Sequence, residues 1–444
     1  MALYVHLPFC VARCPYCDFV VYAGGDARGP RARTARLYEA VGRELELRAE
    51  ALDERFGPPT GADAAAAGGS GPAHGSTAPA SADGREPLRS VYFGGGTPSL
   101  VPGEWLERLM AIVRARFGVA PDAEVTLEAN PGPDERGDMA GFRRAGVTRI
   151  SFGAQSMDAG ELRSLGRRHS PEDVAAAVAT ARAAGIGSVN LDLLYDVPGQ
   201  SVESWERTLR AALALTPDHL SLYALTLDDP DAEGITGEAP AGEAPAGEAP
   251  AGEAPAGEAG DHLPTPPGAR RWRERARLQQ DDDRAADQYL LATELLAASG
   301  WRGYEISNWA RPSHESRHNL AYWTRLPHEA VGPGAHAFDG SIRRWNAAAM
   351  EPYLATLRAA PPRLPPGGSE ILTPQSAAAE EAILALRLDR GVSTGVAGRL
   401  PMAEVRDWAE SAGLLEKLEI DGEPRLRLTV RGRLLSNELF SRLV

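Results

Sequence analysis

Residues 90–128, SVYFGGGTPSLVPGEWLERLMAIVRARFGVAPDAEVTLE, form one full period of a repeating architecture. Ser90 to Phe93 reads as a buried strand, Gly94 to Gly96 as a loop, Trp105 to Phe117 as an amphipathic helix, and Glu124 to Glu128 as the next strand. The same alternation continues in both directions. Toward the N-terminus lie a strand from Leu3 to Leu7, a loop with all the cysteines, and a helix from about Arg36 to Glu54. Toward the C-terminus, strands at Arg149 to Phe152, Ser188 to Tyr195 and His219 to Thr226 alternate with helices at Met139 to Ala145, Asp173 to Ala184 and Glu203 to Leu215. Several strands are continuous apolar runs, as expected of parallel strands covered on both faces. Six β/α units in succession predict an α/β fold, a partial (β/α)6 TIM-type barrel over residues 1–230, with its reactive groups on loops at the C-terminal ends of the strands.

Two segments stand outside that pattern. Residues 57–88 are rich in Gly, Ala, Pro and Ser and read as a disordered insertion between the first helix and the second strand. Within residues 231–270 the pentapeptide GEAPA occurs four times from Gly237 to Ala256; a proline every five residues forbids a regular helix, and the segment reads as a solvated linker. Residues 271–365 resume with a helix from Asp281 through Ala298 and a segment dense in aromatic and polar residues from Trp301 to Phe338, taken as completing the barrel. Residues 366–444 predict a small helical, winged-helix-like domain: helices at Ala377 to Leu388 and Met402 to Lys417, a hairpin from Leu418 to Leu428 turned at Asp421-Gly422, and a closing helix.

Composition narrows the chemistry. The 444 residues carry 61 Asp and Glu against 47 Lys and Arg, a net charge of −14, which argues against bulk nucleic-acid binding. From Asp228 to Asp261 there are ten acidic residues and no basic one, so the rest of the chain carries only −4. The acidity therefore belongs to the linker, and an anionic partner or an anionic membrane surface, touched peripherally, stays compatible with the folded body. The sole lysine, Lys417, excludes a P-loop or Schiff-base lysine from the first 416 residues. No apolar run is long enough for a membrane span and no signal peptide is discernible, so a cytoplasmic location is expected.

The three cysteines, Cys10, Cys14 and Cys17 in CVARCPYC, are too few and too close for a disulfide framework. Thiolates at C-x3-C-x2-C spacing suit a soft metal or an iron-sulfur cluster. A structural zinc would need a fourth ligand, with no fourth cysteine to give one; a histidine such as the nearby His6 could complete the site. A 4Fe-4S cluster on three cysteines leaves one iron open to a small ligand. The amino and carboxylate groups of S-adenosylmethionine are the best-known ligand for such an iron, and electron transfer to the sulfonium is the chemistry that follows.

With that spacing, the aromatic Tyr16 before the last cysteine and the glycine-rich VYFGGGTPS at 91–99, the chain resembles the radical S-adenosylmethionine superfamily. Adding YVHLPFCVARCPYCDF, TLEANP, SFGAQS, LGRRH and NLDLLYDVPGQ, it resembles the family of the oxygen-independent coproporphyrinogen III oxidase, HemN, and its relative the heme chaperone HemW. The resemblance covers nearly everything but the two insertions. It implies a 4Fe-4S cluster on Cys10, Cys14 and Cys17, and S-adenosylmethionine contacts at Tyr4, Tyr16, Gly95, Gly96, Thr97 and Glu128. Gln155, Arg167 and Asp192 match positions that bind a second S-adenosylmethionine in the oxidase, and Ala224 matches a backbone contact near the adenine.

Three features point to the chaperone branch. Phe19 stands where the oxidase has a further cysteine, Tyr4 lies almost at the first residue where the oxidase has a long extension, and RHNLAYW at 317–323 resembles the HNxxYW signature of the chaperones. That branch implies heme binding and delivery to an apo-hemoprotein, a respiratory enzyme among the acceptors, without oxidative decarboxylation of coproporphyrinogen; the oxidase is the alternative. His318 and His336, with Tyr322 and Trp323, are the heme candidates, and a packing role for the same segments stays open beside them. His314 and His328 are weaker candidates, His74 lies in the insertion, and His6 is better placed to support the cluster. A cysteine could ligate heme iron only by giving up the cluster.

Overall fold

A computed structural model describes residues 1–27, 32–60, 84–227 and 268–444. The GEAPA repeat, residues 61–83 of the first insertion and His74 lie outside the described residues. One 12-stranded sheet organises the first 371 residues. Its centre is β1 (Ala2–Leu7), β2 (Leu88–Gly95), β3 (Val119–Ala129), β4 (Arg149–Gln155), β5 (Ser188–Tyr195) and β6 (His219–Ala224), each parallel to the next. Beyond β6 lie β8 (Asn308–Ala310) and the edge strand β7 (Arg302–Gly303), both antiparallel additions. On the other side β9 (His328–Val331) pairs parallel with β1, followed by antiparallel β10 (His336–Phe338), β11 (Ile342–Asn346) and β12 (Gly367–Ile371). The chain is thus α/β with an open, mixed sheet. The segment expected only to complete the barrel supplies a seventh parallel strand, β9, which at four residues is too short to announce itself by periodicity.

The helices follow local signals. α1 (Thr34–Phe56) and α2 (Gly103–Phe117) end at Gly57 and Gly118, both with positive φ. α3 (Met139–Ala145) is capped by Asp138 and stopped by left-handed Gly146. α4 (Pro171–Ala183) opens with Pro171 behind a Ser170/Asp173 capping box, and α5 (Val202–Ala214) starts from Ser201. Three further helices, α6 (Ala269–Arg277), α7 (Asp282–Ala298) and α8 (Arg317–Trp323), follow β6.

The central strands carry two kinds of row. Leu3, Val5, Phe93, Leu127, Phe152 and Leu191 join one core with Leu37, Tyr38 and Val41 of α1 and Leu106 and Leu109 of α2. On the opposite face the register aligns Tyr4 with Tyr92 and Thr126, and Glu128 with Ser151 and Asn190. That polar face is buried as well, with Ser151 at 5% and Asn190 at 3% exposure. Burial on both faces holds as the apolar runs predict, but the inner row is polar and internally hydrogen-bonded. The outer strands are tied to α1 through Glu44, which is fully buried and accepts from Gly332 N at 2.9 Å, Asn346 Nδ2 at 2.8 Å and Tyr353 Oη at 2.7 Å.

The C-terminal part forms its own small core around Leu386, Val392, Leu415, Leu426 and Phe440. α9 (Pro374–Arg387) and α10 (Met402–Ser411) pack against a hairpin of Leu415–Ile420 and Glu423–Leu428, with Val392–Ser393 as third strand. Asp421 and Gly422 both have positive φ, the conformation the expected Asp-Gly turn requires. The helix expected to reach Lys417 stops at Ser411, because Gly413 turns left-handed; Lys417 pairs instead with Leu426 in the hairpin. Among the described residues no helix is long and apolar enough to cross a membrane.

Candidate functional site

The C-terminal ends of β1 to β5 and the loop after β1 converge on the cysteines. The loop leaves β1 at Pro8, and Phe9–Cys10 pairs with Tyr22–Ala23 to close it. Cys10, Cys14 and Cys17 are partly exposed and none is in a disulfide. Burial pushes the Cys10 thiol up to about 12 and the Cys17 thiol up to about 11, so a metal held there would displace their protons.

Two of the sulfurs receive hydrogen bonds from distant elements. Thr97 Oγ1 donates to Cys10 Sγ at 3.4 Å, and Arg167 Nη1 donates to Cys14 Sγ at 3.4 Å. Asn130 bridges them: its Nδ2 donates to Thr97 Oγ1 at 3.1 Å, and its Oδ1 accepts from Arg167 Nη2 at 2.5 Å. A continuous chain of hydrogen bonds therefore runs from one thiol through three side chains to the next. Donors aimed at sulfur are what thiolate-bound iron requires for stabilisation and tuning, and the set fits an iron-sulfur cluster. Among the described residues no three His, Cys, Asp or Glu side chains converge as ligands of one metal ion would. His6 has both ring nitrogens engaged, Nδ1 with Tyr4 Oη at 2.9 Å and Nε2 with Val20 O at 3.0 Å. The zinc alternative loses His6 as its fourth ligand.

The glycine triplet meets protein first. A Cβ on Gly95, whose φ is +113°, would lie 2.4 Å from the His6 ring, and one on Gly96 would lie 2.7 Å from Phe9 O. Thr97 N donates to Phe9 O at 2.7 Å, so the triplet lets β2 dock against the cysteine loop. Glu128 accepts from Gly95 N at 2.9 Å and Tyr92 Oη at 2.8 Å, and Tyr92 stacks on Tyr4 with centroids 6.1 Å apart. Asp192, deeper in the polar row, accepts from Ser151 and Asn190 at 3.0 and 2.7 Å.

Gly96, Thr97 and Arg167 thus touch the cysteine loop, and Tyr4, Gly95 and Glu128 lie one contact behind it, through His6 and the glycine triplet. Gln155 closes β4 in a strained left-handed conformation, φ 66°. Tyr16 packs against Trp272, and Ala224 sits exposed at the end of β6. Sequence reasoning missed Asn130, although it lies within the quoted TLEANP, and it missed α6 with Trp272 and Arg273, whose arginine-rich composition resembles solvated surface.

Burial raises the Glu128 carboxyl to about 7, with Asp192 adding to the rise. Its folded value exceeds its unfolded one, so ionising it destabilises the fold as pH rises from the unfolded value through 7. Glu128→Gln, measured by thermal unfolding without ligands, is expected to gain stability relative to the parent between pH 5 and 8, reaching on the order of 2 kcal/mol at the alkaline end. A pH-independent difference would contradict this.

The heme candidates separate. His318 is buried with both ring nitrogens taken, by Ser90 Oγ at 3.0 Å and Tyr322 Oη at 2.8 Å, and burial lowers it to about 3. Tyr322 is committed to the same ring and lies edge-on to His328 at 4.7 Å. The Trp323 ring carries the Arg387 guanidinium at 4.5 Å. His336 stacks on Trp345 at 5.9 Å and 20°, is lowered to about 4 by burial, and its Nε2 has no hydrogen-bond partner.

The chain is 37% identical to the heme chaperone HemW of Mycobacterium tuberculosis across 98% of its own length and 92% of the relative's. It belongs to the HemW family. The HemW of Escherichia coli is 33% identical over 78% of this chain and 72% of its own, and that of Synechocystis 29% over 96% and 85%. The Radical SAM superfamily model matches residues 80–212, a span that takes in the glycine triplet and Arg167 but begins after the cysteines. Among solved structures, the E. coli coproporphyrinogen III oxidase HemN, a radical SAM enzyme, superposes with a TM-score of 0.70, covering 100% of this chain and 89% of that one at 20% identity. At that identity the likeness is one of fold, and the HemW relatives carry the family assignment.

Proposed function

We propose that the chain is a heme chaperone that holds a 4Fe-4S cluster on Cys10, Cys14 and Cys17, binds S-adenosylmethionine beside it, and passes heme to an acceptor hemoprotein. The observation that carries the cluster is the hydrogen-bonded chain from Cys10 through Thr97, Asn130 and Arg167 to Cys14. No fourth cysteine exists, and Phe19, at the position of the oxidase's extra one, is 49% exposed. The missing ligand is the opening that S-adenosylmethionine would fill. Tyr4, Gly95, Gly96, Thr97 and Glu128 are the nearest side chains and backbone to bind it, with Glu128 suited to its ammonium group. The bound cluster would supply one electron to the sulfonium; the surrounding residues orient the ligand and hold water away. Gln155, Arg167, Asp192 and Ala224 are proposed to extend the site, Arg167 acting through Cys14 as well.

Heme transfer rests on the HemW relatives. We assign the iron to His336 rather than His318, because His336 Nε2 has no hydrogen-bond partner whereas both ring nitrogens of His318 are taken. The acceptor belongs to the class of apo-hemoproteins, respiratory enzymes included, met in the cytoplasm or at the membrane's inner surface. Heme titration followed by absorbance should show His336→Ala weakening binding at least about tenfold with loss of the histidine-ligated spectrum, the loss expected of an axial ligand. His318→Ala should lower thermal stability and leave that spectrum intact. The reverse pattern would move the ligand to His318.

A further inference from the structure

The half of the cysteine loop between Cys14 and Cys17 is gripped by a side chain from more than 250 residues away. Arg273, on α6, is 8% exposed and donates from Nε to Pro15 O at 2.9 Å and from Nη2 to Cys17 O at 3.4 Å. The same Nη2 pairs with the Asp18 carboxylate. One guanidinium thus holds the two backbone carbonyls that flank Tyr16 and the acid that follows the last cysteine. Its neighbour Trp272 donates to Ser164 O at 2.7 Å and packs its ring on Tyr16 at 6.2 Å. α6 is itself seated by Ala276 in an apolar cluster with Leu165, Leu194, Val197 and Leu225, at the C-terminal ends of the strands.

We propose that Arg273 is a positioning residue for the cysteine loop: by bridging Pro15 O, Cys17 O and Asp18 it fixes the C-x2-C half in the shape that presents its thiols. Backbone carbonyls aimed into a buried spot need donors, and Arg alone among side chains offers several in one rigid plane. A lysine in its place would put a single ammonium at one or two of the three acceptors. The other half of the loop is held by Thr97 on Cys10 and Arg167 on Cys14. α6 thereby completes a frame on which neither sulfur-bearing half depends alone. The role rests on the loop's holding a cluster, and its test is arranged to separate the two.

Anaerobically reconstituted full-length protein, Arg273→Ala and Arg273→Lys would be exposed to an iron chelator, and cluster loss followed by absorbance. Arg273→Ala should lose its cluster at least about tenfold faster than the parent, as second-layer changes at metal sites do, with Arg273→Lys in between. The electron paramagnetic resonance line shape of the reduced cluster should change in Arg273→Ala. Asp18→Asn combined with Arg273→Ala should cost less than the sum of the two single changes, because the two side chains share a contact. Arg284→Ala, which breaks a comparable Arg–Asp pair with Asp196 away from the loop, serves as the control for general destabilisation. Equal chelation rates for parent and Arg273→Ala, or loss in Arg284→Ala as fast as in Arg273→Ala, would overturn the proposal. Amide hydrogen exchange at residues 10–18 of the cluster-free protein gives the independent reading. Faster exchange there in Arg273→Ala supports the grip even if the parent bound no cluster, and unchanged exchange refutes it.

Discussion

Cys17→Ala is expected to reduce reconstituted iron from about four atoms per chain to near zero, and Cys10→Ala and Cys14→Ala to do the same. On the proposed three-cysteine ligation, only two thiolates would remain for a cubane whose fourth iron has no protein ligand. The fold should survive, because none of the three cysteines belongs to the apolar core that joins β1 to α1 and α2. The change in unfolding free energy of the cluster-free protein is expected to stay within about 1 kcal/mol, the range of substitutions outside packed cores. Iron and sulfide analysis alongside thermal unfolding checks both halves of this expectation. Full iron content in a single-cysteine variant would refute three-cysteine ligation, and one zinc per chain with no iron in the parent would restore a structural metal. Thr97→Val belongs to the same series: it removes the donor to Cys10 while leaving all three ligands.

The cysteine motif could be read from the sequence because its spacing is local: three ligands on eight residues need no knowledge of what lies across the fold. The β/α alternation was equally plain, since long amphipathic helices and apolar strands carry their own period. What surrounds the cysteines was less so. Thr97, Asn130, Arg167 and Arg273 reach the loop from four different elements, and chemistry alone does not tell a loop asparagine or one arginine among many from its solvated neighbours. The polar inner row escaped for another reason. Tyr92, Glu128, Ser151 and Asn190 alternate with apolar residues in strands buried on both faces, and such alternation normally signals a solvated face. Here the polar groups satisfy one another on a buried face of the sheet. His318 likewise suggested a ligand from its HNLAYW context, whereas three-dimensional placement gives both its nitrogens to Ser90 and Tyr322.

The second large effect separates heme delivery from porphyrin synthesis. The chain shares its fold with the coproporphyrinogen III oxidase at a TM-score of 0.70, so the fold by itself does not separate the two activities. Phe19, proposed to stand where the oxidase has a further cysteine, is exposed, and the chain is more similar to HemW relatives than to the oxidase. The most direct measurement uses one anaerobically reconstituted preparation with S-adenosylmethionine and a reductant, divided in two. One half receives coproporphyrinogen III and is assayed for protoporphyrinogen; the other is loaded with heme, freed of excess, and mixed with an apo-hemoprotein whose spectrum reports heme uptake. The account predicts no decarboxylated product in the first half and transfer of about one heme per chain in the second. Turnover of coproporphyrinogen, with no retained or transferred heme, would contradict it.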